Sequence, residues 1–253
     1  MRSLKLLERR DEAIRARVEG EVAPLLAGER SAGALVGAAL RAHAALDKEA
    51  QRALSRPGSP EPACSAGCSY CCHVHVDVTV PELLAIAAHI DRTWTPEARA
   101  SLRGRLAARA SDVEGLTCAE RWEAQIPCAL LGDGGRCSIY EVRPLRCRAL
   151  HASSVDPCRE AFEGEGRGGG AGPALIPHLN RALDAAEEGY DRALLGASLS
   201  ADGHRLEIGL LLALDDPEAG LRWLSGGQPF ARARSSLEPS CGTLATGDEV
   251  NIA

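Results

Sequence analysis

Four cysteines fall within nine residues, Cys64, Cys68, Cys71 and Cys72, and four more follow at Cys128, Cys137, Cys147 and Cys158. Thiolates at such short spacing suit Zn²⁺ or an iron–sulfur centre, because a turn of two or three residues lets two sulfurs close on one ion at about 2.3 Å. Small Ser65, Ala66, Gly67 and Ser69 let the backbone bend tightly there. A helix over this stretch would instead gather the four sulfurs into a buried stripe. Glycine and serine make a poor helix interior, however, and a stripe leaves the second cysteine group unexplained. Cys71 and Cys72 are adjacent, so in an extended chain their side chains diverge and both cannot readily bind one tetrahedral ion. The expectation is two metals, or one cluster with a neighbouring thiol.

Free thiols require a reducing compartment. The amino terminus carries charges every few residues, so no signal-peptide run is expected, and no segment approaches the roughly 18 apolar residues of a membrane span. These features predict a cytoplasmic protein, in which ten cysteines are thiolates for metal rather than halves of disulfides. The net charge of −6 gives no general attraction to phosphate backbones or anionic lipid, so neither nucleic acid nor membrane is an expected partner; a protein partner is left open.

The fold class read from the pattern is mainly α: helices around a cysteine-rich metal-binding centre with one short strand or hairpin region. Residues 1–55 read as an N-terminal helical extension of two helices, since Leu4, Leu7, Ile14, Val18, Val22 and Leu25, then Leu35, Leu40 and Leu46, recur at helical spacing across a break at Gly28 to Ser31. Three prolines between Arg56 and Pro62 make a linker. Residues 64–160 form the cysteine-cluster metal-binding domain. Within it, Val74, Val76, Val78 and Val80 alternate like a strand. Thr79 and Glu82 form a capping box for a helix to about Ile90, and Thr95-Pro96 opens another to about Ala110. The glycine-rich stretch Gly164 to Gly172 lacks the Gly-Lys-Ser/Thr ending of a phosphate-cradling loop and reads as a flexible loop. Residues 173–230 complete the chain with helices over 173–195 and 203–225 packed on the centre, and the tail after Arg232 is expected to fray.

Eight thiolates accumulate negative charge, and Arg136, Arg143, Arg146 and Arg148 lie among the sulfurs in sequence, where guanidiniums would offset it. The string Arg136-Cys137-Ser138-Ile139-Tyr140-Glu141-Val142-Arg143-Pro144-Leu145-Arg146-Cys147-Arg148, with Pro127-Cys128 and Cys64-x3-Cys68-x2-Cys71-Cys72, resembles the YkgJ-type, or CxxCxxCC, cysteine-cluster family of zinc- or iron-chelating proteins. The resemblance spans roughly residues 64 to 160; the first gap is three residues where the family's name has two. It implies Cys64, Cys68, Cys71, Cys72, Cys128, Cys137 and Cys147 as metal ligands, with Cys158 as the eighth. A related cluster occurs in flagellin lysine N-methylases. His73, Arg143 and Arg146 are candidates to support the ligands, while His75 and His151 read as polar residues beside them. Cys118 and Cys241 lie outside the pattern and read as structural thiols.

The function these features favour is metal binding through a multi-cysteine zinc or iron–sulfur site, the two metals not being distinguished by spacing. The alternative is an iron–sulfur redox or radical S-adenosylmethionine-type enzyme, one that modifies proteins among the options, because Cys64-x3-Cys68-x2-Cys71 matches such a cluster's spacing. A zinc hydrolase is disfavoured by the lack of an HExxH pattern, and an adaptor built on the terminal helices is a third class.

Overall fold

The computed structural model describes residues 2–164 and 173–235. Most of the expected glycine-rich loop and most of the expected frayed tail, Cys241 included, lie outside the described residues.

Two long helices open the chain, α1 (Arg2–Leu26) and α2 (Ala32–Leu54), with Ser31 capping α2 by accepting a hydrogen bond from the Ala34 amide at 3.2 Å. The proline-rich linker follows without regular structure. The alternating valines give less strand than their pattern predicts. Cys71 and Cys72 sit in a 3₁₀ turn, Tyr70–His73, and only β1 (Asp77–Val78) pairs, antiparallel, with β2 (His204–Arg205), Asp77 opposite Arg205 and Val78 opposite His204.

Next come α3 (Val80–Thr93), α4 (Pro96–Val113), α5 (Cys118–Glu123), α6 (Leu145–Ala149), α7 (Asp156–Glu163) and α8 (Pro177–Gly196). The single helix expected over 203–225 is divided into β2, α9 (Leu206–Asp215) and α10 (Ala219–Leu224). The break falls at Asp216-Pro217, where proline disfavours helical backbone in the residue before it. The protein is thus mainly α, and the described residues carry just one two-stranded sheet. No helix among them is long and apolar enough to cross a membrane.

Two apolar cores explain the packing. In one, Ile14, Val18 and Val22 of α1, Ala42 and Leu46 of α2 and Leu179, Leu183 and Tyr190 of α8 interlock, with Leu145 and Ala149 of α6 set against them. In the other, α3 is buried on nearly all sides and packs Leu83, Ile86 and Ile90 against Leu102 and Leu106 of α4 and Leu206 and Leu210 of α9. Leu130, Ile139 and Val142, from the loops that carry Cys128 and Cys137, join this second core. That anchors the loops that carry Cys128 and Cys137.

Candidate metal centre

Each sulfur-bearing segment is fixed by backbone contacts that the local sequence dictates. Gly67, at φ +101°, turns the first cysteine loop, and its carbonyl comes close enough to Gly135 that a Cβ there would lie 2.8 Å from it. Glycine at both positions therefore lets two cysteine-bearing loops touch. The Cys128 amide donates to the Cys72 carbonyl at 2.7 Å, joining first and second groups. Between Cys128 and Cys137 the chain reverses, with Gly132 N donating to Arg136 O at 2.8 Å and Ser138 N to Leu130 O at 2.9 Å. Ala63 N donates to Ala152 O at 2.8 Å, and the Ala152 amide donates to the Cys64 sulfur at 3.3 Å. Cys158 and Phe162 lie one turn apart on α7. The Phe162 ring meets Tyr70, His73 and Trp122 at 5.6, 4.6 and 5.4 Å, which seats α7 on the turn holding Cys71 and Cys72.

The electrostatics relate the eight thiols in two overlapping sets. Burial, and then the charges of Cys64, Cys68 and Cys71, push Cys158 up to about 11. Cys68 is raised by burial and then by Cys64 and Cys71, and Cys64 by burial and, among sulfurs, by Cys71. In the other set, burial followed by Cys71, Cys128 and Cys137 holds Cys147 far above an ordinary thiol. Burial pushes Cys128 up to about 12, Glu207 and Cys137 adding to it, and burial followed by Cys71 raises Cys137 as well. Cys72 is raised first by its hydrogen bond to Cys71, then by burial, with Cys128 and Cys147 among its neighbours. Cys71, the exposed member, accepts the Cys72 S–H, and this bond draws it down to about 7. One set is Cys64, Cys68 and Cys158, the other Cys72, Cys128, Cys137 and Cys147, and Cys71 acts on members of both.

Among the arginines, Arg143 is the one whose charge favours ionisation of Cys64, Cys71, Cys137 and Cys147. It also lies over the Tyr140 ring at 4.1 Å. Arg146 turns to α8, where it meets Glu187 at 3.0 Å and Asp184 at 3.7 Å. Buried Arg148 donates to the Arg143 carbonyl at 2.9 Å, to the Glu141 carbonyl, and to Asp47 of α2 at 2.8 Å. Its task is thus to hold the loop rather than to neutralise sulfur.

His73 uses Nδ1 to donate to the Ser69 and Tyr70 carbonyls at 3.1 and 3.3 Å, the arrangement that orients a ligating imidazole through its other nitrogen. His75 differs: Nε2 donates to the Leu116 carbonyl at 2.9 Å, and Nδ1 accepts from Arg121 at 3.3 Å, so both nitrogens are engaged. His151 is half-buried, its Nδ1 has no hydrogen-bond partner among the described residues, and burial followed by Arg143 lowers its pKa.

Two buried carboxylates stand behind the site, of which the sequence marks only Glu82, and only as the cap of α3. Glu82 accepts from the Thr79 amide and hydroxyl at 2.9 Å each and, through its other oxygen, from the Leu145 amide at 2.9 Å. Thr79 and Glu82 form the expected capping box of α3, and the Thr79 hydroxyl in addition donates to Glu82. Glu207 pairs with fully buried Arg121 through two hydrogen bonds of 2.5 and 3.2 Å. The partners of Glu82 and Glu207 lie 63 and 86 residues away, and no local pattern announces such pairs.

Eight of the described cysteines are free thiols, the same eight that the sequence singles out. Cys118, buried at the start of α5, is disulfide-bonded and not the isolated thiol expected. Among the described residues no group of three or more His, Cys, Asp or Glu side chains is arranged to hold a metal ion. The donor chemistry of eight soft sulfurs nevertheless suits zinc or iron. Residues 63–165 match the family described as CxxCxxCC, putative zinc- or iron-chelating domain. No curated protein and no solved structure matches the chain.

Proposed function

We propose that this protein, whose residues 63–165 match the CxxCxxCC family, chelates two zinc or iron ions, one in each four-cysteine set. The observation that carries this reading is the mutual opposition of the thiols within each set. A buried thiol cluster of this kind gains by exchanging its protons for a dication, and metal binding releases those protons. Cys64, Cys68, Cys71 and Cys158 would hold one ion, and Cys72, Cys128, Cys137 and Cys147 the other. The adjacent pair must abandon its S–H···S bond to do so. A bound ion would add to the positive charge that Arg143, and Arg121 at Cys128, bring to the sulfurs. His73 is a supporting residue through its oriented ring. Both metals accept four thiolates tetrahedrally, and iron can be held this way as an iron–sulfur cluster. Eight free thiols suit a reducing compartment, the cytoplasm, against which the Cys118 disulfide is the one contrary feature among the described cysteines. The radical-enzyme alternative gains no support from two paired dipeptide strands, since such chemistry is usually housed in an alternating strand–helix barrel.

Metal analysis of anaerobically purified protein beside its visible spectrum tests the reading. The expected result is about two ions per chain, colourless for zinc or brown for thiolate-bound iron. Cys158→Ser and Cys137→Ser should each remove about half the metal and together nearly all, while Cys241→Ser leaves it unchanged. Folded, metal-free wild-type protein refutes chelation. Complete loss from either single substitution would replace two sets by one shared cluster.

A further inference from the structure

Remote from the sulfurs in sequence, α1, α2 and α8 enclose an open groove of about 300 Å³ whose floor is Ile14 with three alanines. Its walls carry Arg10 and Arg17 from α1, Arg52 from α2 and Arg56 from the linker. Glu49, only 3% exposed, sits among them. It takes Arg17 in a two-pronged pair, Nε to Oε1 at 3.0 Å and Nη2 to Oε2 at 2.9 Å, and also binds Arg52.

A buried carboxylate needs one countercharge; this one has two, and Arg10 and Arg56 have no ion-pair partner among the described residues. Four guanidiniums against one carboxylate leave three positive charges on a chain whose net charge is −6. Nor are Arg17 and Arg52 loosely solvated. Glu49 fixes both heads at the groove while their side chains stay about half exposed, and each guanidinium, with five N–H donors, keeps donors free.

We propose that this groove binds a small phosphate-bearing ligand. A tetrahedral dianion accepts from several guanidinium forks at once, where a monocarboxylate satisfies one. The apolar floor suits the organic part of such a compound, and the volume is at the lower end for small-molecule sites. The phosphate could be that of a free metabolite or of a lipid headgroup; the concave shape favours the free compound.

Calorimetric titration of the intact, metal-loaded protein at low salt, with inorganic phosphate and with adenosine monophosphate as probes, tests the proposal. Saturable binding is expected, weakening with added salt. It should weaken about tenfold in Arg10→Gln and in Arg56→Gln, the loss of one charge-assisted contact. Arg92→Gln, exposed on α3, should bind as wild type. Neither unpaired arginine supports the fold through an ion pair, so both variants should keep the wild-type melting temperature. Adenosine monophosphate binding more tightly than phosphate would assign the floor to the organic part, and equal affinities would assign the groove to phosphate alone. Sedimentation with phosphatidic acid vesicles but no binding of either soluble probe would move the source to a headgroup. No binding in any arm, or binding indifferent to both substitutions, overturns the proposal.

Discussion

His75 illustrates how a single buried side chain ties the cysteine loops to the helical shell. Burial, reinforced by Arg205 and Arg121, lowers its pKa to about 4 from an ordinary 6.5, so the ring is neutral in the fold. Its two nitrogens bridge Leu116, ahead of α5, and the buried Arg121–Glu207 pair. Below pH 6.5 the unfolded chain takes up a proton that the folded ring refuses until about pH 4. Stability from this group is therefore complete above 6.5 and is lost as pH falls from 6.5 towards 4, by on the order of 3 kcal/mol. His75→Gln keeps a donor and an acceptor but no titrating ring. Urea unfolding of both proteins across that window should show a shallower acid loss in the variant; parallel curves would mean that His75 does not titrate as its burial requires. Arg148 makes the same kind of tie at the other end of the site, clasping the Glu141–Arg143 turn and reaching α2 through Asp47. In the string Arg143-Pro144-Leu145-Arg146-Cys147-Arg148, successive residues face sulfur, begin α6, donate to Glu82, pair with α8, carry a thiol and hold the loop.

At the level of elements, the sharpest packing constraint lies where α8 crosses α1. A Cβ added at Gly189 would stand 2.5 Å from the Arg15 carbonyl oxygen and 3.0 Å from Val18 Cβ. Backbone cannot yield as a flexible side chain does, so Gly189→Ala must push the helices apart, at a cost of about 1–3 kcal/mol. Gly37, inside α2, has open space around its Cβ position, and Gly37→Ala should stabilise by up to about 1 kcal/mol through helix propensity. Opposite shifts of the two melting temperatures are the expected outcome, and a neutral Gly189→Ala would show that the crossing has slack. The helices themselves were legible wherever the signal was local: apolar periodicity for α1 and α2, Thr79 and Glu82 for α3, Thr95-Pro96 for α4. α5 carried the same signal unread, for Thr117 and Glu120 exchange hydrogen bonds of 2.7 and 3.2 Å as a full capping box. The alternating valines misled because alternation specifies a face but not a partner. β1 is as short as the two residues β2 offers it. The candidate site was legible as a list of eight cysteines. The two sets proposed for them were not, since that proposal depends on α7 docking through Phe162 and on the Cys72–Cys128 backbone bond.

For the whole molecule, the question is how far the cysteine centre and the helical cores stand or fall together. The loops at 56–76 and 124–144 contain only short turns, and their sulfurs are the natural cross-links between them. The α1, α2 and α8 core, by contrast, is closed by its own apolar side chains and draws only Leu145 and Ala149 from near the centre. Structural thiolate sites can contribute about 10–16 kcal/mol, as much as the entire stability of many domains. Were centre and cores one all-or-none unit, removing metal would unfold everything. The packing argues for a graded response, because the cores keep their apolar contacts when the loops lose their cross-links. Treatment of metal-loaded protein with a strong chelator under reducing conditions should leave far-UV helicity largely intact. Limited proteolysis should then cut within 56–76 and 124–144 first, with hydrogen exchange rising there and spreading through Leu145 and Arg148, whose bonds to Glu82 and Asp47 link the centre to α3 and α2. Coincident loss of helicity and of metal would instead show that these two links transmit the full stability of the centre to the cores.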